Sequence, residues 1–295
     1  MPAEPQVDAP LIVASLLILG ILGGSVALWI QHIRRPHGTI ENAPGAPAWP
    51  IGWVNFGILA SAMIIAVYVA QVAVGLMFFE APAEDTPPME LTPWLAVLAV
   101  LMLQLPLLAV FYGARRFYPG QYTSRLNNAE LSIFEAFRQA LPLFLMFMPV
   151  IWIAALLWTN ILIGLEAIGV IDAVKPQELI TLFQEGGDPL AIGLLVVMAV
   201  VLAPIVEEII FRGGVYRFLK SQTTLVPAQV LSGCVFALMH ANLMSFVPLV
   251  LVGVFFARVY EKSGNIMVAI WFHAFFNAFS LLMLFFTSMS DAIPQ

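Results

Sequence analysis

Eight long apolar runs set the terms on which this chain can fold. An α-helix rises 1.5 Å per residue, so about 20 apolar residues are needed to cross the hydrocarbon core of a bilayer. Runs near that length occur at about 10–29, 54–79, 94–112, 141–165 and 190–211. Three more follow at about 226–240, 248–259 and 266–286, the seventh run being the shortest. Of the 295 residues 61% are hydrophobic and only 10% charged, whereas a soluble domain carries about 25% charged residues. Lipid must therefore solvate most of the chain. The predicted fold class is all-α, a polytopic transmembrane helical bundle of about eight spans, with the short seventh run a partial or re-entrant segment. The first ten residues hold Glu4 and Asp8 and no basic residue. That is the wrong lead for a cleaved signal peptide, so the first run is expected to remain as a span.

Charge placement tests the count independently. Arg34 and Arg35 follow the first run, and Arg115, Arg116, Arg125 and Arg138 the third. Arg212, Arg217 and Lys220 follow the fifth, and Arg258 and Lys262 the seventh. Eleven of the twelve basic residues thus fall on one side, leaving Lys175 on the other. The opposite loops are acidic, with Glu80, Glu84, Asp85 and Glu90 in one and Glu166, Asp172, Glu178, Glu185 and Asp188 in another. Lys and Arg collect on the cytoplasmic face, so eight crossings of a cell membrane with both termini outside satisfy the rule. Proline-rich stretches at 43–50 and 81–93 read as loops, because proline lacks a donor and restricts its predecessor.

The predicted organisation is N-terminal scaffold spans over 1–123, then an amphipathic surface helix, fourth span and outer loop over 124–189. A core over 190–286 and a tail over 287–295 complete it. The amphipathic helix is expected over 124–139, where charges alternate with Leu126, Leu131, Ile133, Phe134 and Phe137. Gly20 and Gly24 form a GxxxG, read as a helix-packing face. Net charge is −6 and no basic patch with interleaved aromatics occurs, which argues against a nucleic-acid partner. The one cysteine, Cys234, permits no internal disulfide.

Ionisable groups are costly inside spans and mark function by default. Here they are concentrated in the last four runs: Glu207, Glu208 and Arg212 in the fifth, His240 in the sixth, His273 and Asn277 in the eighth. Counting residues from the run ends puts Glu207, His240 and His273 at comparable depth, roughly 14–20 Å in. Glu208 and Arg212 are spaced i,i+4 with the acid first, the better orientation for an intrahelical pair. Glu207 points about 100° away and is left without a partner in its own helix, as a general base requires. His273 and Asn277 are also i,i+4 and face one way, suited to donating to a single oxyanion. Pro204 removes the bond to the carbonyl of Val200, so a kink is expected just before the glutamates. One Glu and two His, namely Glu207, His240 and His273, could also ligate zinc. They suit metal-free general-base hydrolysis equally, and HExxH and GxSxG are both missing.

The three elements Glu207-Glu208-xxx-Arg212, Phe236-xxx-His240 and His273-xxx-Asn277, in this order, resemble the motifs of the CAAX-processing and bacteriocin-processing (CPBP, or Abi) family of intramembrane proteases. That family includes the type II CAAX prenyl endopeptidases. The resemblance covers roughly residues 190–285. It implies that Glu207 and His240 activate the attacking water, and that His273 and Asn277 stabilise the tetrahedral oxyanion. Glu208 and Arg212 would support the site and Phe236 shape it. The expected function is an intramembrane endopeptidase opening toward the cytoplasm, with zinc or no cofactor. Its partners would be the bilayer and a peptide or membrane-protein substrate, for CAAX-type or leader-peptide processing. The competing reading is a non-catalytic transporter or immunity or scaffold protein whose buried polar cluster binds an ion, proton or peptide. Transporters repeat their broken helices in two halves, and here the polar residues occupy one half.

Overall fold

The computed structural model describes residues 9–34, 43–78, 91–175 and 177–291. Arg35, His37, Glu80, Glu84, Asp85 and Glu90 lie outside the described residues, as do the two chain ends. Among the described residues all regular structure is helical. The long helices are α1 (Ala9–Arg34), α2 (Trp53–Phe78), α3 (Pro93–Phe117) and α4 (Ile133–Ala167). A short α5 (Glu178–Glu185) precedes α6 (Pro189–Gln222). The hairpin of α7 (Leu225–Met239) and α8 (Phe246–Ser263) leads to α9 (Ile266–Asp291). Six of these, α1–α4, α6 and α9, are long and apolar enough to cross a membrane. The chain is a multi-pass membrane protein.

α6 is the central post. Val206, Ile209, Ile210 and Phe218 pack against Trp49, Ile51, Leu59 and Phe111 of the α2–α3 side. Phe211 packs into the cluster of Phe144, Phe236, Phe256 and Phe272 from α4, α7, α8 and α9. The stretch from Glu208 to Gly214 is buried throughout. Two π-helical segments, Met198–Leu202 and Glu208–Tyr216, flank the α-helical turn Ala203–Glu207. Each π segment inserts an extra residue per turn and re-aims the side chains beyond it.

Several expectations need correction. The helix of the sixth run is shorter than that of the seventh, and neither is among the six long and apolar enough to cross. α7 has 15 residues, about 22 Å against a hydrocarbon core of about 30 Å, whereas α8 continues for 18 residues. Arg258, Glu261 and Lys262 end the apolar run but not the helix. No amphipathic helix spans 124–139: residues 123–132 are irregular, and α4 begins at Ile133. A capping box sets that start, with Glu135 N–H donating to Ser132 Oγ at 3.2 Å and Ser132 N–H to Glu135 Oε2 at 2.8 Å. Arg217 is not a loop charge, since it is fully buried.

The loops expected on one face do meet there. Lys220 Nζ lies 2.6 Å from Glu261 Oε1 and donates to the Ala46 carbonyl at 2.7 Å. Arg217 Nε donates to Pro47 O at 2.7 Å, and Trp49 N–H to Arg217 O at 3.0 Å. Asn127 Oδ1 accepts from Ile266 N–H at 2.8 Å, and Asn265 Nδ2 donates to Ala129 O at 2.9 Å. The strap 43–52, the segment 123–132 and the ends of α6, α8 and α9 form one hydrogen-bonded layer. At the opposite end Asn242 Nδ2, in the α7–α8 turn, donates to Lys175 O at 3.1 Å.

The close glycine crossing is not the one expected. A Cβ on Gly20 would meet no described atom within 4 Å, and one on Gly24 only Leu145 Cδ1 at 3.7 Å. By contrast a Cβ on Gly253 would lie 2.7 Å from Gly233 Cα, and one on Gly233 2.6 Å from Val250 O. Backbone meets backbone where α7 crosses α8. Gly253→Ala should therefore lower the thermal midpoint in detergent by the equivalent of about 1–3 kcal/mol, while Gly20→Ala leaves it unchanged. An unaltered midpoint for Gly253→Ala would contradict the crossing.

Candidate active site

The buried polar cluster is built where α6 faces α7, α8 and α9. Glu208 and Arg212 form the expected pair, with Arg212 Nη1 3.2 Å from Glu208 Oε1 and both side chains at 0% exposure. Its surroundings explain how so costly a pair is held. The Arg212 guanidinium carbon lies 4.7 Å from the ring centre of Phe236 and 4.8 Å from that of Phe256. It is thus clamped by two aromatic rings, an arrangement that favours cations. Arg212 Nη2 also donates to the Gly253 carbonyl at 3.1 Å. That bond is possible because α7 and α8 cross without side chains between them.

His273 joins the same carboxylate. Its Nδ1 lies 3.0 Å from Glu208 Oε1, and a carboxylate accepts, so Nδ1 carries the hydrogen. The ring stacks on Phe256 at 4.5 Å, with 24° between planes. Held in this way, His273 turns Nε2 toward Glu207, whose Oε2 is 3.8 Å away. That is too long for a hydrogen bond, and among the described residues Glu207 Oε2 is buried without a hydrogen-bond partner. Glu208 Oε2 is likewise buried without a hydrogen-bond partner, and the two neighbouring carboxylates differ in exposure. Glu208 is sealed, while the Glu207 side chain is 21% exposed. A water at hydrogen-bond distance from both Glu207 Oε2 and His273 Nε2 would satisfy the orphaned oxygen, as waters commonly do for buried polar groups.

His240 caps the C-terminal end of α7, next to Ala241 at a φ of 46°. Its Nδ1 lies 2.8 Å from the Phe236 carbonyl, which can only accept. Nδ1 is therefore the protonated nitrogen, leaving Nε2 free in the neutral ring. The ring stands 4.6 Å from Phe236, whose centre is 5.9 Å from His273. Phe236 thus lies beside both histidines, and it touches Arg212 as well. Asn277 does not share a target with His273. Its Nδ2 donates to the Ala199 carbonyl at 2.8 Å, which commits one of its two amide hydrogens.

The expected residues are accordingly brought together in part. Glu207, Glu208, Arg212, Phe236 and His273 form one connected cluster, with His240 at its edge and Asn277 one turn along α9. Phe256 and Gly253 were missed by sequence reasoning. Nothing distinguishes Phe256 from the other 21 phenylalanines without the fold. The zinc set of Glu207, His240 and His273 is not assembled: among the described residues no three His, Cys, Asp or Glu side chains stand at ligating distances. One His273 nitrogen is already held by Glu208. The residues as placed do not fit a three-ligand site.

Residues 189–279 match the family described as type II CAAX prenyl endopeptidase Rce1-like. Over 93 residues the chain is 31% identical to the protein described as putative membrane peptidase YdiL of Bacillus subtilis (strain 168). That stretch is 32% of this chain and 38% of that protein, so the likeness spans well under half of either. No solved structure matches the chain. The matched stretch contains the whole polar cluster and the helices that carry it. Residues 189–279 of this chain thus resemble a type II CAAX prenyl endopeptidase domain of the Rce1-like kind.

Proposed function

We propose that this chain is an intramembrane endopeptidase that hydrolyses a peptide bond with a water activated by Glu207. The observation that carries this reading is the orphaned Glu207 Oε2, 3.8 Å from a His273 nitrogen whose ring is locked from behind by Glu208. Glu207 takes a proton from the water, and the hydroxide adds to the scissile carbonyl carbon. The proton then passes to the leaving amine as the carbon–nitrogen bond breaks. His273, held at Nδ1 by Glu208, turns Nε2 toward the site of the developing oxyanion and can stabilise it when that nitrogen carries a hydrogen. An oxyanion role for Asn277 would use its second amide hydrogen, the first being engaged by Ala199. His240, with Nε2 free, is assigned a share in water activation. Glu208 and Arg212 are positioning residues that fix the imidazole.

The substrate class proposed is a membrane-associated peptide, such as a CAAX-type C-terminus or a leader peptide, reaching the site from the cytoplasmic side. The termini then lie on the opposite side. The hydrophobic environment and the family likeness support the class of reaction.

Two predictions separate the roles. Glu207→Gln should lower kcat on a cleavable membrane reporter by about 10²–10⁴-fold, the range for a lost general base, with its thermal midpoint unchanged. Full cleavage by Glu207→Gln would overturn the mechanism. If the cell's phenotype persists in that variant, the non-catalytic reading takes over. Glu208→Ala strands a buried guanidinium and should cost about 3–5 kcal/mol of stability. The double variant Glu208→Leu with Arg212→Met should melt higher than Glu208→Ala alone. Equal midpoints for Glu208→Ala and the unaltered chain would show that the pair bears no load.

A further inference from the structure

Asn277 and Pro204 sit on different helices, yet one carbonyl connects them. In the π segment Met198–Leu202 the Ala203 N–H donates to Met198 O, five residues back. Ala203 is the residue that would serve Ala199 in α register, so that donor is spent. In π register the donor for Ala199 O is the N–H at position 204, and position 204 is proline. The Ala199 carbonyl therefore has no backbone donor from either register. The deficit expected at Val200 is moved back one residue by the π turn. A buried carbonyl without a donor costs about 1–3 kcal/mol, and Asn277 Nδ2 supplies the missing hydrogen at 2.8 Å. Because a carbonyl only accepts, the nitrogen face of the amide must point at it.

The position of this bond gives it consequence. Pro204 is three residues before Glu207 and four before Glu208, and Asn277 is one helical turn after His273. A single face of α9 therefore holds His273 against the two carboxylates and holds the turn from which those carboxylates project. We propose that Asn277 is a positioning residue: its amide replaces the backbone donor absent at Pro204 and thereby fixes the π turn that aims Glu207 and Glu208 at His273. The link to catalysis rests on the protease reading, whereas the link to the π turn does not.

The test is a double-mutant cycle in the full-length chain in lipid nanodiscs, using Asn277→Ala, Pro204→Ala and both together. Pro204→Ala restores an N–H to serve Ala199, so it should relieve the loss caused by Asn277→Ala. Amide exchange over 198–208 should quicken in Asn277→Ala without a matching change in α1–α3, and return toward the unaltered rate in the double variant. On a reporter peptide Asn277→Ala should lower kcat more than it raises KM. The double variant should recover about fivefold of that loss, the size of one shared hydrogen bond. Independent, additive effects of the two substitutions would overturn the proposal and leave Asn277 acting on the oxyanion alone. Unchanged exchange over 198–208 in Asn277→Ala would overturn it too. If Asn277→Ala fails to accumulate, accumulation of the double variant supports the proposal and failure of both counts against it. If the unaltered chain cleaves nothing, the protease reading falls while the exchange measurements still decide this one.

Discussion

The Glu208 carboxylate, sealed from all solvent, is the contact on which the rest of the site depends. One of its oxygens receives both the Arg212 guanidinium and the His273 Nδ1–H. A lone carboxylate buried in an apolar bundle would be intolerable, and so would a lone guanidinium. Together, with two aromatic faces and the Gly253 carbonyl beside the guanidinium, they form an anchor. The anchor fixes one edge of the imidazole and so determines where the other edge points. Glu207 points another way, and its side chain is 21% exposed where that of Glu208 is sealed.

The geometry around α6 carries this logic into the backbone. A regular α-helix would repeat its side-chain directions every turn. The two π segments interrupt that repeat on either side of Pro204 to Glu207. Such segments leave mismatched donors and acceptors, which must be matched from outside the helix. Neighbouring helices hold this region here: α9 through Asn277, which donates to the Ala199 carbonyl, and α8 through the Gly253 carbonyl, which accepts from the Arg212 side chain. The crossing of α7 and α8 at Gly233 and Gly253 serves the same end, since bulkier residues there would move Gly253 away from Arg212.

Much of this was legible in the order of residues, and the limits have physical causes. Apolar run length gave the long helices, and charges confined to the last four runs located the cluster. The i,i+4 spacing of Glu208 and Arg212 survives even in π-helical backbone, because both side chains still share a face. His273 and Asn277 share a face, as their spacing indicates, but reach partners on different turns of α6. The lengths of α7 and α8 were misjudged because hydropathy follows side chains, while a helix ends where its backbone bonds end. Arg217 read as a loop cation because nothing in a single sequence reveals the carbonyls and the ring around it. The π register, and with it the carbonyl that Asn277 serves, has no local sequence marker beyond the proline.

The strap between α1 and α2 bears on how the molecule is made. Ala46 and Pro47 are bonded by side chains at positions 217, 220 and 261, more than 160 residues later in the chain. A ribosome delivers the strap long before it delivers those partners. The first helices must therefore wait in the bilayer with their connecting segment unclasped, and that layer closes only once α8 has emerged. Assembly of the half that carries the polar cluster and locking of the N-terminal half are consequently one late event, so a chain truncated before α8 would lose the clasp as well as the cluster.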